Sequence, residues 1–161
     1  MKEIALTQGK VAIVDDEDYE GLNQWMWYAH ACRKKWYACR TLHKDGEIIT
    51  LRMHRLILNT PDNKETDHIN GNGLDNRRCN LRICNDTENC RNSKMRTGAK
   101  SSSFKGLDWF RHQKKWRVRI SVDKKSIFLG YFNDEGEAAN AYDEAAKKYH
   151  GEFANLNFKE A

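Results

Sequence analysis

KWRVRISVDKKSIFLGYFNDEGEAANAYDEAAKKYHG, residues 115–151, is the stretch of sequence that decides the fold of the C-terminal part of the chain. Apolar and polar residues alternate in 115–122 and in 126–132, and FKGLDWF at 104–110 follows the same pattern. A period of two residues is typical of a strand with one buried face. These segments predict three antiparallel strands, and residues 133–151 predict one helix after them.

One face of this predicted sheet is apolar and the other is basic. The apolar face of the middle strand carries Trp116, Val118 and Ile120. Its opposite face carries Arg117, Arg119 and Ser121. The helix has an apolar stripe of its own, made by Ala138, Tyr142, Ala145 and Tyr149. Because the helix would cover the apolar face, we expect the arginine-bearing face to be exposed and to fit a DNA groove.

Basic residues are concentrated in one band of the sequence. Between Arg91 and Lys125 there are twelve of the 28 lysines and arginines but only two of the 23 acidic residues. The rest of the chain therefore holds 16 basic and 21 acidic residues. Trp109, Phe110 and Trp116 are interleaved with the cations of the band. A basic band that contains aromatic residues favours a polyanionic partner, whereas a plain run of charge would be only a solvated face.

Length and composition restrict the class of protein. A chain of 161 residues is long enough for one ordinary domain or two small ones. No apolar stretch approaches the ~18 residues that a membrane helix needs, and the N-terminus lacks the apolar block of a signal peptide. The five cysteines are odd in number and form no Cys-x-x-Cys pair, which argues against a disulfide framework and a ribbon-type zinc site. We therefore expect a cytoplasmic protein with reduced cysteines and no membrane partner.

The N-terminal third of the chain is rich in predicted strands. The Asp-Gly pair at 45–46 predicts a tight hairpin between two of them. Residues 16–25 predict a helix, and its core-facing stripe would comprise Tyr19, Leu22, Trp25 and Met26. Further along the chain, Asn85 is followed by Glu88 at the spacing of a capping box. A second short helix should therefore begin directly after Asn85.

The polar segment in the middle of the chain combines residue types that could hydrolyse a phosphodiester bond. His68 is suited to the role of general base because an imidazole is available in its neutral form near pH 7. Asp67 and Asn89 offer the oxygen atoms that Mg²⁺ prefers as ligands. The sequence Asn-Gly-Asn-Gly at 70–73 could supply the turn that brings Asp67 and His68 to the same side. A loop rich in Asn and Gly is also often no more than a loop, and the residues alone leave this alternative open.

MHRLIL…TDHINGNGLDNRRCNLR…TENCRN, within about residues 50–96, resembles the HNH endonucleases of phages, in particular their homing-type nicking members. The resemblance implies that His68 is the general base and that Asn80 fixes the loop which carries it. Asp67 and Asn89 are the implied metal ligands, with Mg²⁺ or Mn²⁺ as the cofactor. A single active site per chain then implies a monomer that nicks one DNA strand. The resemblance also implies a phage-encoded or bacterial protein that acts in the cytoplasm.

FKGLDW…KWRVRI…FLGYF…EAANAYDEAAKKYHGEFANLNF, over about residues 102–158, resembles the ethylene-response-factor (apetala-two) DNA-binding domain. That domain is a three-stranded sheet that lies in the major groove, and phage HNH proteins often carry it after the nuclease. The matching framework residues include Gly106, Trp116, Gly130 and Asn157. The outward positions that differ from the plant pattern are Asp108, Phe110, Arg119 and Ser121. The resemblance therefore implies duplex DNA as the partner but not the plant target sequence.

These observations predict an α+β protein. A ββα-metal HNH core with a β-rich N-terminal region would be followed by a small three-stranded antiparallel sheet packed on one helix. The predicted domains are 1–53, the β-rich N-terminal region, 54–97, the HNH nuclease core, 98–103, a linker, and 104–161, the ethylene-response-factor-type DNA-binding domain. The predicted DNA-binding residues are Arg82, Arg91, Lys105, Arg111, Lys115, Arg117, Arg119, Lys124, Lys125 and Phe128.

The predicted function is a metal-dependent HNH DNA endonuclease that the C-terminal sheet-type domain targets to double-stranded DNA. The alternative is a non-catalytic DNA-binding protein or transcription regulator, in which the HNH part survives as a degenerate scaffold. A function directed at RNA has no support, because the sequence contains no ribonucleoprotein or KH-type motif.

Overall fold

The computed structural model describes residues 1–32, 34–92 and 101–158. The chain divides into two compact units, Met1–Asn89 and Cys90–Ala161, and each has a hydrophobic core of its own. In the described residues, every strand pair of the sheets is antiparallel, and α-helices accompany the sheets. The predicted α+β class is confirmed. None of the helices in these ranges is both long and apolar enough to cross a bilayer.

The first unit consists of three small sheets and short helices. Its elements are β1 (Lys2–Ala5), β2 (Val11–Val14), α1 (Asp16–Asn23), β3 (Tyr28–Cys32), β4 (Lys35–Lys44), β5 (Glu47–Arg52), α2 (Met53–Ile57), β6 (Glu65–His68), β7 (Leu81–Cys84) and most of α3 (Asp86–Arg91). The sheets are β1–β2, β3–β4–β5 and β6–β7. Asp45 and Gly46 both have positive φ between β4 and β5, so the predicted tight hairpin is confirmed.

Side chains from the whole length of this unit share one core. Ile4 and Val14 of the first sheet pack with Trp27, with Met53 at the start of α2 and with Leu81 of β7. All five are buried. Residues on both sides of position 53, where the predicted N-terminal region ends, therefore bury their apolar surface in one shared core.

Helix α1 is shorter than the sequence predicts. It ends at Asn23, and Trp25 and Met26 are 50% and 92% exposed, so their predicted place in a core-facing stripe is wrong. Trp27 is buried instead, and its Nε1 donates to the Leu22 carbonyl at 2.8 Å. That bond lies at the end of the helix, where the chain turns away from it. Trp25 stacks with Arg40 instead, and the Arg40 Cζ lies 4.0 Å from the centroid of the Trp25 ring.

The predicted capping box at the start of α3 is confirmed. The Glu88 amide donates to Asn85 Oδ1 at 2.9 Å, and the Asn85 amide donates to Glu88 Oε2 at 2.8 Å. Two backbone donors that the first turn leaves without helical partners are thereby satisfied.

The second unit is a three-stranded sheet covered on one face by a helix. Its elements are β8 (Leu107–Phe110), β9 (Lys115–Val122), β10 (Lys125–Phe132) and α4 (Glu135–His150), with β9 in the centre of the sheet. Asp134 caps α4, since its Oδ1 accepts from the Glu137 amide at 2.8 Å. The predicted strands and helix are therefore present.

Small side chains let α4 lie close to the sheet. Its buried residues in the core are Ala138, Ala139, Tyr142, Ala145 and Ala146, which pack on Leu107, Val118 and Ile120. Tyr149, the last member of the predicted stripe, is 37% exposed, so the stripe ends one turn earlier than predicted. The packing fixes which face of the sheet is buried and which is open to solvent.

The segment predicted as a linker, 98–103, is described only from residue 101. Residues 98–100 lie outside the described residues. The Ser101 hydroxyl accepts from the Trp109 amide at 2.7 Å, and the buried Ser102 hydroxyl donates to Glu135 at 2.7 Å. These two serines therefore belong to the packed structure of the second unit.

Candidate nucleic-acid interface

The candidate interface is the face of the C-terminal sheet that α4 leaves uncovered. In an antiparallel sheet, residues in register have their side chains on the same face. Asp108 is in register with Arg117, and Arg117 with Tyr131; Arg119 is in register with Phe128. We call this surface the outer face, and its residues are Asp108, Phe110, Lys115, Arg117, Arg119, Ser121, Ser126, Phe128 and Tyr131.

Three aromatic rings form a continuous row on the outer face. Phe110 stacks on Tyr131 with ring centroids 5.4 Å apart, and Tyr131 meets Phe128 at 5.0 Å. Phe128 is 53% exposed. Strict alternation would turn Tyr131 inward, but a register shift between Phe128 and Gly130 turns it outward and Phe132 inward. Gly130 inside a strand was the signal in the sequence for this bulge.

Two arginines share one carboxylate on the outer face. Arg117 Nη2 lies 2.7 Å from Asp108 Oδ2, and Arg119 Nη2 lies 3.1 Å from Asp108 Oδ1. Burial acts to raise the Asp108 pKa, but the hydrogen bonds and charges of the two arginines outweigh it and leave the pKa lowered. The carboxylate is therefore ionised at neutral pH, and the cluster keeps a net charge of one positive unit.

The remaining predicted DNA-binding residues of the second unit fall into two groups. Arg111, Lys124 and Lys125 are exposed near the strand ends. Lys105 Nζ instead donates to the Arg91 carbonyl at 2.8 Å, and burial lowers the pKa of this lysine. Arg91 itself lies 2.9 Å from Asp123. Lys105 and Arg91 therefore make contacts within the unit, whereas the other three cations are exposed at the ends of the strands.

In the first unit, the predicted metal ligand Asp67 is paired with an arginine. Asp67 on β6 is in register with Arg82 on β7, and Arg82 Nη2 lies 2.9 Å from Asp67 Oδ2. Both side chains are largely buried. A buried carboxylate needs such a partner, because removal from water is costly without one. Arg82, which was predicted to bind DNA, has its guanidinium in this ion pair.

The predicted general base His68 lies in a buried cluster of rings. It belongs to the same strand as Asp67, so the two neighbours point to opposite faces of the β6–β7 pair, and the Asn-Gly turn comes only after them. His68 Nε2 lies 3.2 Å from Asn76 Oδ1. The His54 ring is 4.9 Å away, edge to face. Burial is the largest influence on both imidazoles and lowers both pKa values, that of His54 to about 3.

Asn80 holds the loop that follows His68. Its Oδ1 accepts from the Asn70 amide at 2.9 Å, and its Nδ2 donates to the Asp75 carbonyl at 2.7 Å. Asp75 is bound in turn by Arg77, with Nη2 2.7 Å from Oδ2. Asn80 thus joins two points of the loop that follows His68, and its predicted role in a nuclease site stays a prediction. Asn89 lies on α3, where its amide donates to the Asn85 carbonyl at 2.9 Å.

Comparison with known proteins finds plant transcription factors. The chain is 38% identical over 60 residues to the AP2-like ethylene-responsive transcription factor TOE2 of Arabidopsis thaliana, which is 37% of this chain and 12% of that protein. It is 37% identical over 60 residues to APETALA2-like protein 2 of Oryza sativa subsp. indica, 37% of this chain and 14% of that protein. It is 39% identical over 59 residues to the ethylene-responsive transcription factor WRI1 of Arabidopsis thaliana, 35% of this chain and 14% of that protein.

The chain thus spans only 12–14% of the length of these relatives. No family model matches it. The similarity supports an apetala-two-type DNA-binding domain, which the sequence predicts for about residues 102–158. It also supports double-stranded DNA as the partner. It gives no support to an HNH core or to a phage origin.

The prediction of an endonuclease is wrong, since the proteins that the chain resembles are transcription factors rather than enzymes. The predicted Mg²⁺ or Mn²⁺ cofactor is wrong as well. Among the described residues no group of three or more His, Cys, Asp or Glu side chains is arranged to hold a metal ion. The physical reason is that Asp67 is already neutralised by Arg82, while the adjacent His68 is directed to the other face of the strand. The predicted alternative, a DNA-binding protein or regulator, fits these findings better.

Proposed function

We propose that this chain is a DNA-binding regulator of transcription that contacts duplex DNA with the outer face of its C-terminal sheet. The observation that carries the proposal is the composition of that face: Lys115, Arg117 and Arg119 stand beside an aromatic row, on the side that α4 leaves open. The likeness of the chain to AP2-like ethylene-responsive transcription factors supports it.

The chemistry of the outer face suits DNA. Lysine and arginine bind phosphates through charge, and arginine also fits the paired acceptors on the edge of a base. The major groove of B-DNA admits a two-stranded β-ribbon. The hairpin of β9 and β10 presents Arg117, Arg119 and its rings on one side, while Lys124 and Lys125 at its tip are exposed. These lysines would contact the phosphates that border the groove.

We propose further that the first unit is a scaffold without catalytic activity. Along the chain, β6 and β7 form a strand pair and the short helix α3 follows them. This is the order of elements expected of a degenerate HNH element. In this unit Asp67, His68 and Asn80 make ion-pair and hydrogen-bond contacts that stabilise the fold. Removal of any one of these side chains would leave a buried polar group without its partner, which is costly.

The salt dependence of binding tests the DNA-binding proposal. Fluorescence anisotropy with a labelled mixed-sequence duplex gives the slope of log K against log salt concentration, which for B-DNA is about −0.9 for each phosphate neutralised. The double variant Lys124→Gln, Lys125→Gln should reduce the magnitude of the slope by about 1.8. The matched control is Lys147→Gln, Lys148→Gln. It removes two exposed cations from α4, which packs on the face of the sheet opposite the outer face. Equal effects of the two double variants would contradict the proposal.

Two further measurements test the regulator and the scaffold. A template that carries a sequence selected by the protein should change its transcription in vitro when the protein is added, and an unchanged transcript level would contradict regulation. A supercoiled plasmid incubated with the protein and Mg²⁺ or Mn²⁺ should stay uncut. Nicking that disappears in the variant His68→Ala would show that the first unit is not a passive scaffold.

A further inference from the structure

The carboxylate of Asp108 organises the two arginines of the outer face in different ways. Arg117 donates twice to Asp108 Oδ2, from Nε at 3.1 Å and from Nη2 at 2.7 Å. Its guanidinium also lies over the Phe110 ring, 5.0 Å from the centroid. Arg119 donates only once, from Nη2 to Oδ1 at 3.1 Å. Asp108 and Phe110 therefore both hold the Arg117 guanidinium, whereas Arg119 is oriented by one hydrogen bond to Asp108.

Contacts and exposure together make Arg119 the guanidinium that is better placed to bind a further ligand. A guanidinium grips two acceptors through two parallel N–H groups. Arg117 already uses one such edge, Nε and Nη2, on Asp108, and its side chain is 28% exposed. Within the described residues the Arg119 Nε and Nη1 make no hydrogen bond, and that side chain is 48% exposed. The single bond to Asp108 occupies one of the two N–H groups of Nη2, so Arg119 keeps one edge, Nη2 with either Nε or Nη1, whose two parallel N–H groups can bind two further acceptors.

The backbone also fixes the position of Arg119. Its amide donates to the Gly106 carbonyl at 2.9 Å, and its strand is the central one of the sheet. Phe128 is its cross-strand partner on the outer face. With the backbone held on one side and the guanidinium steered by Asp108 on the other, the side chain projects from a defined point of the surface.

We propose that Asp108 is a positioning residue, which presents Arg119 to the O6 and N7 atoms of a guanine, and that Arg117 serves as the support of Asp108 rather than as a second reader. This inference rests on the proposed function, since it assumes that the outer face lies in the major groove. Guanine is the base that displays two acceptors side by side in that groove, and arginine is the side chain that matches them. The negative charge of Asp108 also offsets part of the attraction to phosphates, which favours base contact over non-specific binding.

The test begins with the binding site. Selection from a random duplex pool with the full chain should yield a site in which one guanine is strongly preferred. Replacing that guanine by 7-deazaguanine removes the N7 acceptor and leaves O6 and the base pair in place. Loss of a bidentate contact to a base should weaken binding by roughly 5- to 150-fold.

Three substitutions then separate the roles. Arg119→Lys keeps the charge but loses the two parallel donors, so it should reduce the sensitivity to 7-deazaguanine. Arg117→Lys is the matched control one position along the same face and should keep that sensitivity. Asp108→Asn keeps the shape but not the charge, and it should reduce the discrimination at the guanine while affinity for a random duplex stays equal or rises. Thermal unfolding of each variant shows that the unit remains folded.

The outcomes distinguish this inference from the proposed function. If the full chain binds no duplex, the proposed function fails and this inference falls with it. If binding is intact but Arg117→Lys loses the guanine preference while Arg119→Lys keeps it, the assignment of the two arginines is overturned. An Asp108→Asn variant with unchanged discrimination would show that Asp108 does not position Arg119.

Discussion

Gly106 provides a sharp test of how the sheet and helix of the second unit fit together. It has a φ of +86°, and a Cβ built on it would overlap the ring of Tyr142, a buried residue of α4. The Gly106 carbonyl also accepts the hydrogen bond from the Arg119 amide. The substitution Gly106→Ala should therefore both destabilise the unit and disturb the outer face.

The expected magnitude follows from two contributions. An L-residue in the left-handed region costs about 1–2 kcal/mol. Overpacking against a buried ring costs about 1–3 kcal/mol. The sum of roughly 2–5 kcal/mol is a large part of the ~5–15 kcal/mol that holds a typical domain folded. For a unit of this size each kcal/mol lowers the melting temperature by about 4–8 °C, so a decrease of at least ~8 °C is expected.

The matched control is Gly46→Ala in the β4–β5 hairpin. Gly46 has a similar φ of +80° but nothing within 4 Å of an added Cβ, so only the first contribution applies. Native-state hydrogen exchange of amides in β9 and β4 gives the opening free energy of each unit separately. Gly106→Ala should lower it by ~1–3 kcal/mol more than the control does. Equal losses would refute the account of the packing between Gly106 and Tyr142.

Three further predictions concern groups that stabilise the two units. Asn80→Ala leaves a backbone donor and a backbone acceptor of the loop without their partner. Urea unfolding should show that the free energy of unfolding falls by about 1–3 kcal/mol for each of these groups that water does not reach. The affinity for duplex DNA should be unchanged. Asp134→Ala removes the cap of α4 and should cost about 1 kcal/mol in the same assay; an unchanged midpoint would contradict the cap. Burial lowers the pKa of His54 from 6.5 to about 3. Between these pH values the unfolded chain binds more protons than the folded chain does. The free energy of unfolding should therefore fall as the pH falls, by up to ~1.4 kcal/mol per pH unit. The variant His54→Phe should flatten that dependence, and a slope equal to that of the parent would contradict it.

The second unit could be predicted well because its information is local. Alternation in two strands, the alanine stripe of α4 and the turn residues between them all indicate one arrangement, and the structure has it. The exception is Tyr131, whose outward direction depends on the bulge at Gly130. A single extra residue reverses the faces of everything after it, so strict alternation fails beyond that point.

The first unit shows where sequence reasoning fails. The residue types at Asp67, His68 and Asn80 led to the wrong prediction of metal-dependent chemistry, because Asp67 makes an ion pair with Arg82 across the strands. Whether a carboxylate faces an arginine or a metal depends on strand register, which the local residues do not specify. Trp25 is exposed because the helix ends at Asn23, before the predicted stripe is complete, and Trp27 is buried there with its indole Nε1 donating to the Leu22 carbonyl.

The most direct test of the central claim is to map the bound duplex onto the sheet. Amide chemical shifts of the full chain are recorded while a short mixed-sequence duplex is added. The account predicts that the largest changes fall on β8, β9 and β10 around Arg117, Arg119 and Phe128, and that α4 residues such as Lys147 change little. Changes concentrated on α4 or confined to the first unit would contradict it.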